Sequence, residues 1–90
     1  MRRTDTEICV QLNGWYNEAK NEPDTLHHII TSMYVLGLEF GLNRNEEEIK
    51  KFLDAAYEIK NKLEGTQSGI GICRMITRYI DGLQWVLGNE

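Results

Sequence analysis

The sequence has little proline and little cysteine, and both shortages narrow the possible classes of protein. Its 90 residues contain one proline and two cysteines, Cys9 and Cys73. Two thiols can form one disulfide, which nothing in this sequence requires, and they cannot by themselves fill a tetrahedral zinc site. We therefore expect a reduced, cytoplasmic protein that holds no metal and no cofactor.

The chain also lacks a long apolar run and an excess of positive charge. Its most apolar segment is interrupted by Thr31, Ser32, Gly37 and Glu39, so it falls short of the ~20 apolar residues of a membrane-spanning helix. In the first residues, MRRTDTE, two arginines are followed by acids rather than by the apolar segment of a signal peptide. The formal net charge is −4, whereas nucleic-acid-binding domains usually carry a basic face. We expect binding to neither membrane nor DNA.

Helical periodicity is present along the whole chain and indicates an all-α fold. Apolar residues make up 41% and charged residues 27% of the sequence, which is typical of a folded globular domain. We predict one domain over residues 1–90, with helices near residues 5–20, 24–40, 46–64 and 69–87. Because the connections are short, sequential helices should be antiparallel, which favours a small antiparallel four-helix bundle.

Local signals place the helix ends. Pro23 cannot continue a helix, and Asp24 directly after it is a good N-cap for the second helix. Asn45, with Glu48 three residues later, has the capping-box pattern for the third helix. Gly65 is of the type that ends a helix.

The charged residues of the third helix indicate a solvent-exposed polar face rather than a catalytic site. That face consists of Glu47, Lys51, Asp54, Glu58 and Lys62. Paired carboxylates on helices hold magnesium in all-α nucleotide pyrophosphatases, but such a site needs acids from at least two helices, and no second helix has an acidic face. His27 and His28 are adjacent and point about 100° apart on a helix, so they cannot chelate one metal together. We predict no catalytic residues and no metal site.

The second helix is apolar nearly all round, which indicates burial on more than one side. We assign one stripe to the core of the bundle: Leu26, Ile29, Ile30, Met33, Leu36 and Phe40. Three residues on its other sides, Tyr34, Val35 and Leu38, are predicted to contact a second subunit in a homo-oligomer. The small residues Ser32, Gly37 and Gly41 would let another helix approach closely there.

The segment GTQSGIGICR, residues 65–74, allows two interpretations. It can be a plain connector in which Gly65 ends one helix and Ser68 caps the next. It can also be an anion site, since free N–H groups at a helix start attract phosphate or carboxylate groups. The candidate ligand-binding residues are Thr66, Ser68, Gly69, Gly71, Arg74, Arg78 and Trp85. The P-loop pattern is absent, and the segment follows a helix rather than a strand.

Trp85 is unusual because helical spacing places its indole among charged residues. Tryptophan and arginine are enriched at binding hot spots, so Trp85 is either available to a ligand or partner, or covered by residues 1–6 or by another chain.

The leading hypothesis is a small acidic, non-enzymatic binding protein that self-associates and regulates or inhibits a partner protein stoichiometrically. The alternative is a binder of a small anionic ligand, such as a nucleotide, through residues 65–78. An enzyme is the third hypothesis.

Overall fold

The computed structural model describes residues 1–66 and 69–89. These residues form four α-helices, α1 (Asp5–Asn21), α2 (Thr25–Gly41), α3 (Glu46–Leu63) and α4 (Ile70–Val86). The predicted all-α four-helix bundle is confirmed, and each helix boundary lies within one residue of the predicted one.

The first three helices begin at side-chain caps. Asp24 accepts a hydrogen bond from the His27 N–H at 3.0 Å, as the sequence predicts. Asn45 accepts from the Glu48 N–H at 2.9 Å, and the Glu48 carboxylate accepts in return from the Asn45 N–H, so the predicted capping box is confirmed. Thr4 forms a second capping box in front of α1. Each cap satisfies N–H groups that have no partner within the helix, which fixes where the helix starts.

Contacts between neighbouring helices fix their directions. α1 and α2 are antiparallel, because the end of α1 meets the start of α2 and the start of α1 meets the residues after α2. These contacts join the Ala19 carbonyl to the His28 ring and the Asp5 carboxylate to the Asn43 N–H. α3 and α4 are antiparallel because Lys60, near the end of α3, contacts Cys73 near the start of α4, while Tyr57, earlier in α3, contacts Gln84 near the end of α4. In this up-down order α2 and α4 run in the same direction.

α2 and α4 make the most extensive helix contact, and it depends on glycine. A Cβ atom on Gly37 would lie 2.5 Å from the carbonyl oxygen of Tyr79 and 3.1 Å from the Cα of Gly82. A Cβ on Gly82 would lie 2.6 Å from the carbonyl oxygen of Tyr34. One turn further along, Val86 packs directly on Gly41. The two backbones are therefore closer than any residue with a side chain would allow at these positions.

This contact determines which side of α2 is buried, and it reverses the sequence-based assignment. Tyr34, Val35 and Leu38, predicted to face a second subunit, are 6%, 6% and 0% exposed and lie in the core of this chain. The stripe assigned to the core is instead partly exposed, with Leu26 at 51% and Ile29 at 40%, although its last member, Phe40, does pack against the core. The glycines explain the difference, because α4 packs on the side of α2 where the backbone is accessible.

The core also draws on the other two helices. Ile8 of α1 and Ile49 of α3 are fully buried against it, together with Leu83 and Val86 of α4. α1 packs mainly on α2 and α3 packs mainly on α4, so each lies beside a different member of the central pair. The molecule is correspondingly flat, with extents of 39 × 33 × 17 Å.

Residues 1–4 bind the carboxyl ends of both central helices. Neither α2 nor α4 has a basic residue in its last turn. Arg2 donates to the Gly41 carbonyl at 2.9 Å, and Arg3 donates through Nε to the Trp85 carbonyl at 2.8 Å. The Arg3 backbone N–H donates to the Val86 carbonyl at 2.7 Å. Positive charge at these carbonyls is favourable because a helix carries negative potential at its carboxyl end.

The glycine contact predicts opposite effects for two glycine-to-alanine changes in helices. Gly37→Ala forces α2 and α4 apart and should lower the free energy of unfolding by about 1–3 kcal/mol. Gly14→Ala in α1, where a Cβ meets nothing within 4 Å, should raise it by about 0.5–1 kcal/mol through helix propensity. Urea unfolding at one protein concentration measures both. Equal effects of the two changes would contradict the close contact.

The carboxylate of Asp5 makes stability depend on pH on the acid side. Its pKa is lowered chiefly by the hydrogen bond from Arg2 and further by the Asn43 N–H. Because the folded pKa lies below the unfolded one, this contribution is complete above about pH 5 and is lost as the pH falls through the folded pKa. Asp5→Asn should therefore lose less stability than the unsubstituted chain between about pH 5 and pH 2.

The matched control is Asp54→Asn, at an exposed position on α3. It should keep the acid dependence of the unsubstituted chain. Thermal unfolding across this pH range checks both variants, and identical pH profiles for Asp5→Asn and Asp54→Asn would show that Asp5 plays no such part.

Candidate binding surfaces

An open groove of about 470 Å³ lies where α3 ends and α4 begins. Its lining comes from one side of α2, from the end of α3 and its connector, and from the first three turns of α4. These residues are Ile30, Leu63, Glu64, Gly65, Thr66, Cys73, Arg74, Thr77 and Arg78. The groove thus brings together three of the seven predicted ligand residues, Thr66, Arg74 and Arg78.

The two arginines of the groove have different surroundings. Arg78 is paired with Asp81 at 3.0 Å, and its guanidinium lies 4.9 Å from the centre of the Tyr34 ring. Arg74 is exposed and has no hydrogen bond or ion pair with any residue that the structure describes. Since the two residues are four apart on a helix, they are neighbours on its surface. Arg78 is therefore engaged within the chain, while the Arg74 side chain is exposed beside it.

The glycine-rich segment makes its own internal hydrogen bonds. The Thr66 hydroxyl and N–H both donate to the Leu63 carbonyl, at 2.7 and 3.2 Å. The Gly69 N–H donates to the Thr66 carbonyl at 3.3 Å, and Gly69 itself is buried against Thr66 and Leu63. Gly71 is exposed and does not line the groove. Ser68 lies outside the described residues. Thr66 and Gly69 thus pack against the end of α3, beside the groove.

Trp85 does not belong to the groove. It lies eleven residues after Arg74, which corresponds to about 16 Å along a helix. Its ring is covered by the Arg3 guanidinium, 4.1 Å from the ring centre, so residues 1–6 cover it, as one of the sequence-based alternatives had it. A nucleobase in the groove would find no aromatic ring among the lining residues described. The signal for this contact was the pair of arginines in MRRTDTE.

A second depression, almost entirely apolar, lies between α2, α3 and α4. It has a volume of about 280 Å³. We call the surface formed by its lining the apolar face: Met33, Leu36, Phe40, Phe52, Ala55, Ala56, Ile59, Ile76 and Tyr79. It contains half of the α2 stripe that the sequence assigned to the core. Sequence reasoning missed it as a binding surface because the stripe was expected to be buried.

Three aromatic rings form the centre of the apolar face. Phe40 lies 5.3 Å from Phe52 and 5.9 Å from Tyr79, measured between ring centres. The Arg44 guanidinium lies 5.2 and 5.3 Å from the centres of the two phenylalanine rings and donates to the Phe40 carbonyl at 2.8 Å. Burial raises the pKa of the Tyr79 hydroxyl. The cluster thus combines aromatic rings with a cation and a hydroxyl, a combination that suits a protein-binding site.

A third groove, of about 400 Å³, runs between α1 and α2. It is lined by Tyr16, Lys20 and Glu39 among others. His28 also lines it, but one ring nitrogen of His28 is 2.6 Å from the Ala19 carbonyl, so this histidine joins the two helices. The groove combines no set of groups that suggests a particular chemistry.

The carboxylates of α3 lie where the sequence predicts, on an exposed face. Glu58 pairs with Lys62 at 3.3 Å, and both side chains are largely exposed. Within residues 1–66 and 69–89, no three side chains of histidine, cysteine, aspartate or glutamate come together as metal ligands would. Cys9 and Cys73 are free thiols. In the same part of the chain, none of the helices has the length and apolar character needed to cross a membrane.

Comparison of the chain with protein-family models, with curated proteins and with solved structures finds no match. The candidate surfaces therefore rest on the geometry described above.

Gly69 and Gly71 differ in the space around them, so alanine should have different effects at the two positions. A Cβ on Gly69 would collide with the Thr66 hydroxyl and would lie 2.6 Å from the Leu63 carbonyl oxygen, whereas a Cβ on Gly71 would meet nothing within 4 Å. Gly69→Ala should therefore lower the free energy of unfolding by about 1–3 kcal/mol, and Gly71→Ala should leave it unchanged or raise it by up to about 1 kcal/mol. Thermal unfolding measures both. If Gly69→Ala left the free energy of unfolding unchanged, Gly69 would not be needed for the packing of the connector against α3.

Proposed function

We propose that this is a non-enzymatic helical binding protein that self-associates through the apolar face and acts on a partner protein by stoichiometric binding, as a cytoplasmic regulator or inhibitor. The observation that carries the proposal is the α2 stripe. Apart from Glu39, no residue between Leu26 and Phe40 carries a fixed charge, and α4 and α1 each cover only one side of the helix. The side left over is apolar and partly exposed, which is unfavourable in water unless another surface covers it.

The overall surface area supports a second copy as the occupant. A compact monomer of 10.4 kDa exposes about 5400 Å², and this chain exposes 5775 Å². The excess accompanies the flat shape, whose shortest extent is 17 Å. Two copies related by a twofold axis would each bury the same face, which is the commonest form of homodimer.

The chemistry of the apolar face also fits a protein interface. Its centre has the aromatic rings of Phe40, Phe52 and Tyr79, and Arg44 lies at one end. Aromatic residues and arginine are enriched at the centres of interfaces, and charged residues are depleted there. Each copy carries a net charge of −4, so two copies repel one another at long range. Salt should therefore strengthen the association by screening this repulsion.

The test is sedimentation of the purified protein at micromolar concentration. We expect a dimer or larger particle, and Ile59→Glu should shift it to monomer by placing a charge in the apolar face. The matched control is Val10→Glu on α1. Val10 is 70% and Ile59 51% exposed, so neither substitution disrupts the core, and Val10→Glu should leave the particle unchanged. A strictly monomeric protein at high concentration would contradict the proposal. Native mass spectrometry of the protein from cell extract would report the subunit count and any bound partner together.

A further inference from the structure

We propose that the groove beside the glycine-rich connector binds a small amphipathic anion, with a carboxylate or phosphate head group on an aliphatic body. The proposal is separate from self-association, because the groove shares no lining residue with the apolar face. Its volume of about 470 Å³ lies within the range of small-molecule sites, which are mostly apolar with a few polar groups that orient the ligand.

The head group is recognised by the two arginines. Arg74 and Arg78 are like charges one helical turn apart, an arrangement that is unfavourable without an anion between them. Asp81 compensates Arg78, while Arg74 faces no acid on its own helix. Glu64 is the one acid among the lining residues described, and it is exposed at the end of α3. An anion between the arginines would form charge-assisted hydrogen bonds with both.

The body of the ligand is aliphatic rather than aromatic. The apolar part of the lining is formed by Ile30, Leu63 and the half-buried Cys73. The hydroxyls of Thr66 and Thr77 already donate to the carbonyls of Leu63 and Cys73, so they are not donors to the head group, which the two arginines recognise. Trp85 is remote, and the lining residues that the structure describes include no ring on which a base could stack. An alkyl chain with a charged end therefore fits the described lining better than the nucleotide suggested by the sequence.

The cysteines allow a direct test, because Cys73 lines the groove and Cys9 is exposed on α1 as an internal reference. Decanoate, below its micelle concentration, should slow alkylation of Cys73 by iodoacetamide severalfold and leave Cys9 unchanged. Decanol, which lacks the charge, and acetate, which lacks the chain, should protect neither thiol. Decyl phosphate used in parallel distinguishes a phosphate from a carboxylate head group, and protection by either one supports the proposal.

The matched variants are Arg74→Ala and Lys51→Ala, which each remove one exposed positive charge. Arg74→Ala should weaken protection of Cys73 about tenfold or more, because charge-assisted hydrogen bonds are lost, and Lys51→Ala should not change it. The proposal would be overturned by any of four results. These are equal protection by decanol and decanoate, equal protection of Cys9 and Cys73, no protection by either anion, and an unchanged affinity in Arg74→Ala.

Discussion

The structure depends on the approach of two helix backbones at Gly37 and Gly82. Because neither residue has a side chain, α2 and α4 meet with a Cβ position on Gly37 only 3.1 Å from the Cα of Gly82. Tyr34, Leu38 and Leu83 are buried around this crossing. α1 then packs on the outer side of α2 and α3 on α4. The flat shape follows, and so do the two surfaces on which the functional proposals rest.

Residues 1–4 hold the carboxyl ends of this central pair together. α2 and α4 run in the same direction, so their negative ends lie side by side, and neither helix has a basic residue in its last turn. Arg2 and Arg3 donate to carbonyls of both helices, and Arg3 also covers Trp85. Two arginines that could be mistaken for a nucleic-acid contact or a signal sequence are thus part of the fold.

The sequence predicts the helices well because their ends are set locally. Asp24, Asn45 and Gly65 act through hydrogen bonds or backbone angles within a few residues of the chain, and Gly65 has the positive φ of 86° expected of a helix-ending glycine. The buried side of α2 could not be assigned in this way, because an apolar residue stands on every side of that helix. The glycines do indicate a close helix contact, but their pattern fits a helix of another chain as well as it fits α4.

The candidate site was also predictable in part, because some of its residues are brought together by local helical spacing. Arg74 and Arg78 share a helical face by spacing alone, and Thr66 is adjacent through the connector. A helical wheel groups Trp85 with them because it ignores distance along the helix axis, whereas the ring is covered by a segment remote in sequence.

The most direct test of the central claim is an NMR measurement of the contact between the α-protons of Gly37 and Gly82. A sample that mixes labelled and unlabelled protein separates cross-peaks within one molecule from cross-peaks between molecules. We expect a strong cross-peak within one molecule. A cross-peak seen only between molecules, or no cross-peak, would contradict the fold.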